Sequence, residues 1–202
     1  LDEANLLALQ AQINPHFLYN TLETINYMAL NLTQNDENEV SAAVSELAEL
    51  FRMSTQSTNY MVSINDELMQ IEVYINILKL RYKDMFSVKW DISPNIRKYA
   101  IVKLSLQPLV ENALYHGIKP KGGGGVINIG GRLKENKIYI EIADNGVGMG
   151  EAEYEQLRRN MENKYISNDT HIGIINVTQR LKIIFGDECN IGVTTKKGEG
   201  TT

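Results

Sequence analysis

The hydrophobic period of this 202-residue chain changes once, near Lys83, and that change limits it to two differently built halves. Up to Tyr82 the apolar residues recur every three or four positions, as on one face of a helix. Leu18, Leu22, Ile25, Ala29 and Leu32 make a first stripe. Val40, Val44, Leu47, Phe51 and Ser54 make a second, after a polar turn at 34–38. Leu68, Ile71, Ile75, Leu78 and Tyr82 make a third. Ser63 can cap this third helix, with Asp66 and Glu67 in its electropositive first turn. Two helices with one stripe each make a poor core, so the first half is predicted to pair with a second copy as a four-helix bundle.

Beyond Lys83 the texture alternates. The segment 86–92 reads as a strand, 103–118 as a helix despite Pro108, and 122–125 as a loose glycine loop. The runs 126–133 and 137–143 read as a hairpin turning at Lys134-Glu135-Asn136. Helices over 151–160 and 174–185 follow, separated by a polar run after Met161 that reads as a mobile lid. A strand over 191–195 and a partner after Gly200 complete the pattern. Helices mixed with mostly antiparallel strands predict an α+β chain, with one sheet face covered by helices. The expected domains are 1–84 and 85–202. Trp90 and most tyrosines read as core.

Charge and cysteine content exclude several functions. The net charge of −5 gives no basic stripe for nucleic acid. The single cysteine, Cys189, cannot form an internal disulfide. No apolar run approaches the ~20 residues that cross a bilayer. The chain opens at Leu1 in mid-pattern and reads as the cytoplasmic piece of a longer protein, with a membrane-spanning sensor expected ahead of it.

Several short motifs carry chemistry. Asp144-Asn145-Gly146-Val147-Gly148 ends an apolar strand. A carboxylate there can accept a hydrogen bond from an exocyclic amine, and glycines let the backbone approach a flat ring or a phosphate. A plain strand-ending turn has the same pattern. On the helix before it, Asn112 offers an amide oxygen suited to Mg²⁺, and Glu111 can act as a base or orient a water. Two exposed polar residues would look the same. Gly173 opens a helix whose first N–H groups attract phosphate. Gly198-Glu199-Gly200-Thr201 is a turn able to sit beside phosphates, or an ordinary hairpin. Near the start stands Asn14-Pro15-His16-Phe17-Leu18-Tyr19-Asn20, a histidine in a leucine-rich helix.

In this order, the motifs from Phe86 to Thr202 resemble the ATP-binding α/β sandwich shared by gyrase, Hsp90, histidine kinases and MutL. The box around His16, with Gln107-Pro108-Leu109-Val110-Glu111-Asn112-Ala113, resembles the LytS/YesM-like sensor histidine kinases over nearly the whole chain. The resemblance implies ATP and Mg²⁺ as cofactors, with Asn112 on the metal and Asp144 on adenine. Gly146 and Gly148 match a first glycine box, Gly173 a second, and Gly198 and Gly200 a third. It also implies His16 as phosphoacceptor, a homodimer through the N-terminal helices, and a response-regulator receiver domain as partner.

Three departures from that pattern matter. Phe17 replaces the acid that often follows the acceptor histidine, which leaves Glu111 as the candidate base. Tyr115 replaces a phosphate-binding lysine, and Lys119 and His116 are the candidates to compensate. His171 replaces the first glycine of the second box, and a structural or capping role is expected for it. His116 shares a helix face with Asn112, and phosphate contact and solvent exposure both fit it. Asn20, one turn after His16, can hold a water for dephosphorylation or be a surface residue. Arg180 can reach a phosphate or pair with an acid. The competing readings are a serine-directed kinase of the anti-sigma type and a degenerate kinase serving as an ATP-binding dimeric module.

Overall fold

The computed structural model describes residues 22, 25, 39–55, 59–162 and 171–202. His16 and Asn20, the polar run expected as a lid, and most of the first apolar stripe lie outside them. Two compact units divide the described chain. Helix α1 (Glu39–Thr55) and Met69–Arg81 belong to one, and Tyr60–Leu68 with Tyr82–Thr202 to the other.

In the first unit, Ile71, Ile75 and Leu78 are buried, as their spacing predicts. The stripe of α1 behaves differently: Val40 is 55% and Leu47 41% exposed. An apolar stripe defines a face but does not supply the surface that covers it. Leu22 and Ile25 are both helical, the first buried and the second exposed.

The second unit begins with β1 (Met61–Ser63), which leads directly into α2 (Ile64–Tyr82). The predicted cap is present. Ser63 Oγ accepts the Asp66 N–H at 3.1 Å and donates to the Asp66 carboxylate at 2.7 Å. Next come β2 (Phe86–Ile92), β3 (Ala100–Val102) and α3 (Gln107–Asn112). The last continues into a π-helical segment (Ala113–Ile118) and a closing turn, α4 (Lys119–Lys121). The hairpin strands β4 (Gly125–Lys134) and β5 (Lys137–Asp144) follow, then α5 (Glu151–Glu162), α6 (Ile172–Phe185), β6 (Thr195–Lys196) and β7 (Gly200–Thr201).

The main sheet has the order β2-β4-β5-β7-β6. The β4–β5 turn has positive φ at Glu135 (50°) and Asn136 (61°), the geometry that joins twisted antiparallel strands in two residues. β2 pairs parallel to β4, and the remaining pairs of this sheet are antiparallel. Leu114 and Ile118 of the π segment are fully buried, as are Ile127 and Ile129 of β4. A second core joins Met149, Leu157, Met161, Ile174 and Ile175 between α5 and α6. Burying each such side chain contributes about 1.5–3 kcal/mol.

The structure corrects several expectations. The helix predicted over 103–118 begins only at Gln107, where Pro108 suits the first turn. The preceding loop carries Leu104 at φ 58°, which no helix tolerates. Gly125 is not in a loose loop: it starts β4 and is buried, and a Cβ there would lie 2.5 Å from Ile118 Cγ1. The strand predicted over 191–195 shrinks to Thr195–Lys196, because its partner β7 offers only Gly200–Thr201 to pair with. Trp90 is 41% exposed, since β2 is an edge strand. The β1–β3 pair was not foreseen: three-residue strands are too short to show a period.

Candidate functional site

A cavity of about 690 Å³ opens in the second unit. Its apolar walls include Leu109, Ile140, Ile142 and Ile174, and its polar groups include Asn112, Asp144 and Thr201. Three residues chosen from separate sequence motifs therefore share one space. A slot with aliphatic walls and a few convergent polar groups suits a flat, partly polar ligand.

Asp144 ends β5 and is buried. One carboxylate oxygen accepts the Gly146 N–H at 2.7 Å. Burial pushes its pKa up, opposed by the N–H groups of Gly146 and Thr201 and by the charge of Lys121. The loop after it is tied down from several sides. Asn145 accepts the Val126 N–H at 2.7 Å through its side chain, and its carbonyl accepts from Lys121 Nζ at 2.6 Å. Val147 N–H donates to the Gly117 carbonyl at 2.9 Å, and Gly198 N–H donates to the Val147 carbonyl at 2.6 Å.

The glycines here are explained by crowding. A Cβ on Gly146 would overlap the backbone of Gly117, and one on Gly117 would lie 2.8 Å from Asp144 Cγ. Gly148 (φ 61°) and Gly200 (φ 112°) occupy conformations that other residues rarely adopt. A Cβ on Gly148 would fall 2.7 Å from the Lys196 carbonyl carbon, and one on Gly200 2.8 Å from that of Asp144. Thr195 Oγ1 accepts the Met149 N–H at 2.9 Å and meets Thr201 Oγ1 at 3.0 Å. The 198–200 turn is thus a brace for the Asp144 loop. Gly173 lets α6 approach α3, where a Cβ would meet Pro108 Cβ at 3.1 Å.

The start of α3 is anchored by a buried carboxylate. Glu67 of α2 accepts the Leu104 N–H at 2.9 Å and the Leu106 N–H at 3.0 Å. Burial raises its pKa, and these N–H groups and Arg180 oppose the rise. Arg180 donates to the Lys103 carbonyl and, at 3.3 Å, to the Leu104 carbonyl. The strained Leu104 is therefore clamped through both its N–H and its carbonyl.

Not every predicted site residue faces the cavity. Arg180 does not line it. Lys119 Nζ lies 5.7 Å from the Tyr115 ring centre and 5.9 Å from that of Tyr82, within cation–π range. Glu111 is half-buried and accepts from Gln107 Nε2 at 3.0 Å. His116 is exposed, yet its pKa is pushed down, first by desolvation and then by His171, whose ring centre is 4.9 Å away.

The unforeseen partner of the site is His171. It precedes α6 but makes no side-chain cap there. Its side chain is buried, with Nδ1 2.8 Å from Asn112 Oδ1 and Nε2 3.2 Å from Glu153 Oε1. The sequence signal was its presence where the resembling box has a glycine. Gly117 and Glu153 left no such signal.

Residues 4–86 match the family model described as histidine kinase. The chain is 30% identical over 201 residues to an uncharacterized sensor-like histidine kinase of Staphylococcus epidermidis. It is 29% identical over 201 residues to the sensor protein kinase HptS of Staphylococcus aureus. Both alignments cover 100% of this chain and 38% of the relative, so the chain spans well under half the length of these relatives. Its fold is similar to the histidine kinase domain of the Erythrobacter litoralis EL346 blue-light activated kinase, with TM-score 0.51, 14% identity and coverage of 93% and 90%. It is also similar to a solved bacterial phosphotransferase, with TM-score 0.53, 13% identity and coverage of 99% and 93%. Among the described residues no helix is long and apolar enough to cross a membrane.

Proposed function

We propose that this chain, whose residues 4–86 match the histidine kinase family model and whose whole length aligns with a sensor-like histidine kinase, binds ATP with Mg²⁺ in the cavity shared by Asn112 and Asp144 and phosphorylates its own His16. The observation that carries this reading is the buried Asp144 carboxylate, held at the cavity by the Gly146 N–H and by glycines that a Cβ would displace. The residues present fit the implied ligands. Asp144 is an acceptor for the adenine amine, Ile140 and Ile142 are apolar walls for the ring, and the Asn112 amide oxygen is a hard donor for Mg²⁺. When bound, Mg²⁺ supplies charge neutralisation on the phosphates.

The chain's own groups supply the rest. Neutral imidazole is a nucleophile near pH 7. A ring nitrogen of His16 bonds to the γ-phosphorus as the bond to the leaving ADP breaks, and the ring sheds a proton to a base. Glu111, oriented by Gln107, is the candidate base. Asn20 is the candidate for holding the water that hydrolyses phosphate from the partner protein. The first 84 residues serve as the dimerising, phosphoaccepting part and 85–202 as the nucleotide-binding part. The exposed Val40 and Leu47 of α1 support pairing with a second copy. The phosphoryl group then passes to an aspartate of a receiver domain. The chain acts on the cytoplasmic side of a longer membrane sensor, in keeping with the 38% coverage of sensor relatives.

Incubation with labelled ATP and Mg²⁺ tests the reading. The chain should acquire an acid-labile, alkali-stable label that is absent from His16→Gln, while that variant still binds ATP. Label persisting in His16→Gln, or acid-stable label, would overturn it.

A further inference from the structure

We propose that His171 is the positioning residue for the Asn112 amide, and that Glu153 holds the imidazole in the orientation this requires. The inference rests on the reading of Asn112 as the metal-binding group. It adds residues from two other elements to that site.

The argument starts from freedom of motion. An asparagine side chain on a helix can turn about its terminal torsion, which is broad. A metal needs its oxygen, not its NH₂ group, presented in one direction. In this chain His171 Nδ1 lies 2.8 Å from Asn112 Oδ1. With a proton on each ring nitrogen, the imidazole donates through Nε2 to the Glu153 carboxylate and through Nδ1 to the amide oxygen, which marks which end of the amide is oxygen. That oxygen has two lone pairs, so one remains for a hard cation.

The imidazole is itself fixed. It is 3% exposed, and Glu153 Oε1 lies 3.2 Å from the opposite ring nitrogen. Its ring also packs at 4.9 Å from that of His116, one helical turn after Asn112. Three elements therefore converge on one amide: α5 through Glu153, the start of α6 through His171, and α3, which carries Asn112. This chain of contacts is the usual form of an outer-shell support, in which the group behind a ligand sets the ligand's direction. A capping role would have placed the His171 side chain against the first N–H groups of α6, and no such bond is made.

The test measures ATP affinity of the 202-residue chain by calorimetry in MgCl₂ and in EDTA. The ratio of the two affinities reports the metal contribution without requiring phosphorylation. His171→Ala should reduce that ratio about 10- to 100-fold, the usual cost of losing an outer-shell partner, with affinity in EDTA nearly unchanged. His171→Asn places an amide near the Nδ1 position and should restore much of the ratio. Glu153→Gln should give an intermediate loss.

A wild-type ratio in both His171→Ala and Glu153→Gln would overturn the proposal. So would an equal loss of affinity with and without Mg²⁺, which marks a merely structural role. If His171→Ala does not fold, His171→Asn and Glu153→Gln decide by the same ratio. Asn112→Ala separates the two levels of the argument. If it keeps the ratio, the Asn112 reading fails and the present inference falls with it. If it loses the ratio while the His171 and Glu153 variants keep it, only the present inference fails.

Discussion

Gly117 and Asp144 occupy one volume: the carboxylate fills the space where any other residue at 117 would carry its Cβ. This explains why a glycine stands inside a helical segment, where it costs about 1 kcal/mol relative to alanine. Local propensity predicts that Gly117→Ala stabilises the chain. The structure predicts the reverse, because overpacking typically costs about 1–3 kcal/mol. We expect a lower thermal midpoint and ATP affinity weakened about tenfold or more. Both are readable in one thermal-shift titration with ATP, and a stabilised variant with unchanged affinity would contradict the geometry.

Asp144→Asn should separate binding from folding. The asparagine oxygen can still accept the Gly146 N–H, and burial already disfavours the native charge, so stability should hold or rise. ATP affinity should fall about 10- to 100-fold, matching the ~1.5–3 kcal/mol of a hydrogen bond to a charged group. Calorimetry with ATP checks this. Undiminished binding would remove Asp144 from the site.

Glu67 gives a pH dependence with a definite sign. Burial raises its pKa above the ordinary glutamate value of 4.5. Between that value and the raised one, the folded chain holds more protons than the unfolded chain. Its contribution is therefore complete below 4.5 and is lost as pH rises through the folded-state pKa. Urea unfolding curves at several pH values should show the native chain losing stability with rising pH relative to Glu67→Gln. A relative gain would reverse the assigned cause.

Ser63→Ala removes both hydrogen bonds to Asp66 at the start of α2. Loss of such a cap costs about 1 kcal/mol. Denaturant midpoints should show this. An equal midpoint would mean that the β1–β3 pair and the Ile64 and Asn65 N–H bonds to the Tyr99 and Arg97 carbonyls suffice to fix where α2 begins.

Much of the second unit was readable because its signals are local. The hairpin of β4 and β5 has alternating residues and an Asn at a turn position that needs positive φ. The cap at Ser63 needs only residues 63–66. Asn112, Asp144 and Thr201 stand in motifs recognisable from a few residues each, and the fold places all three at one cavity. What failed to show was either too short or too distant. β1 and β3 have three residues each, and the π segment has no period of its own in this sequence. The contacts of Lys119 with two tyrosine rings and of Arg180 with the Leu104 carbonyl likewise join residues that no local pattern links.

The sequence by itself determined most helix and strand types and the residue kinds suited to nucleotide and metal. Those follow from hydrophobic period and from turn and capping chemistry, which act over a few neighbouring residues. Only the tertiary structure decided which atoms meet. It brought His171 onto Asn112 across 59 positions and seated Asp144 in the gap left by Gly117. Such pairings depend on close packing between elements distant in the chain, and no local pattern records them.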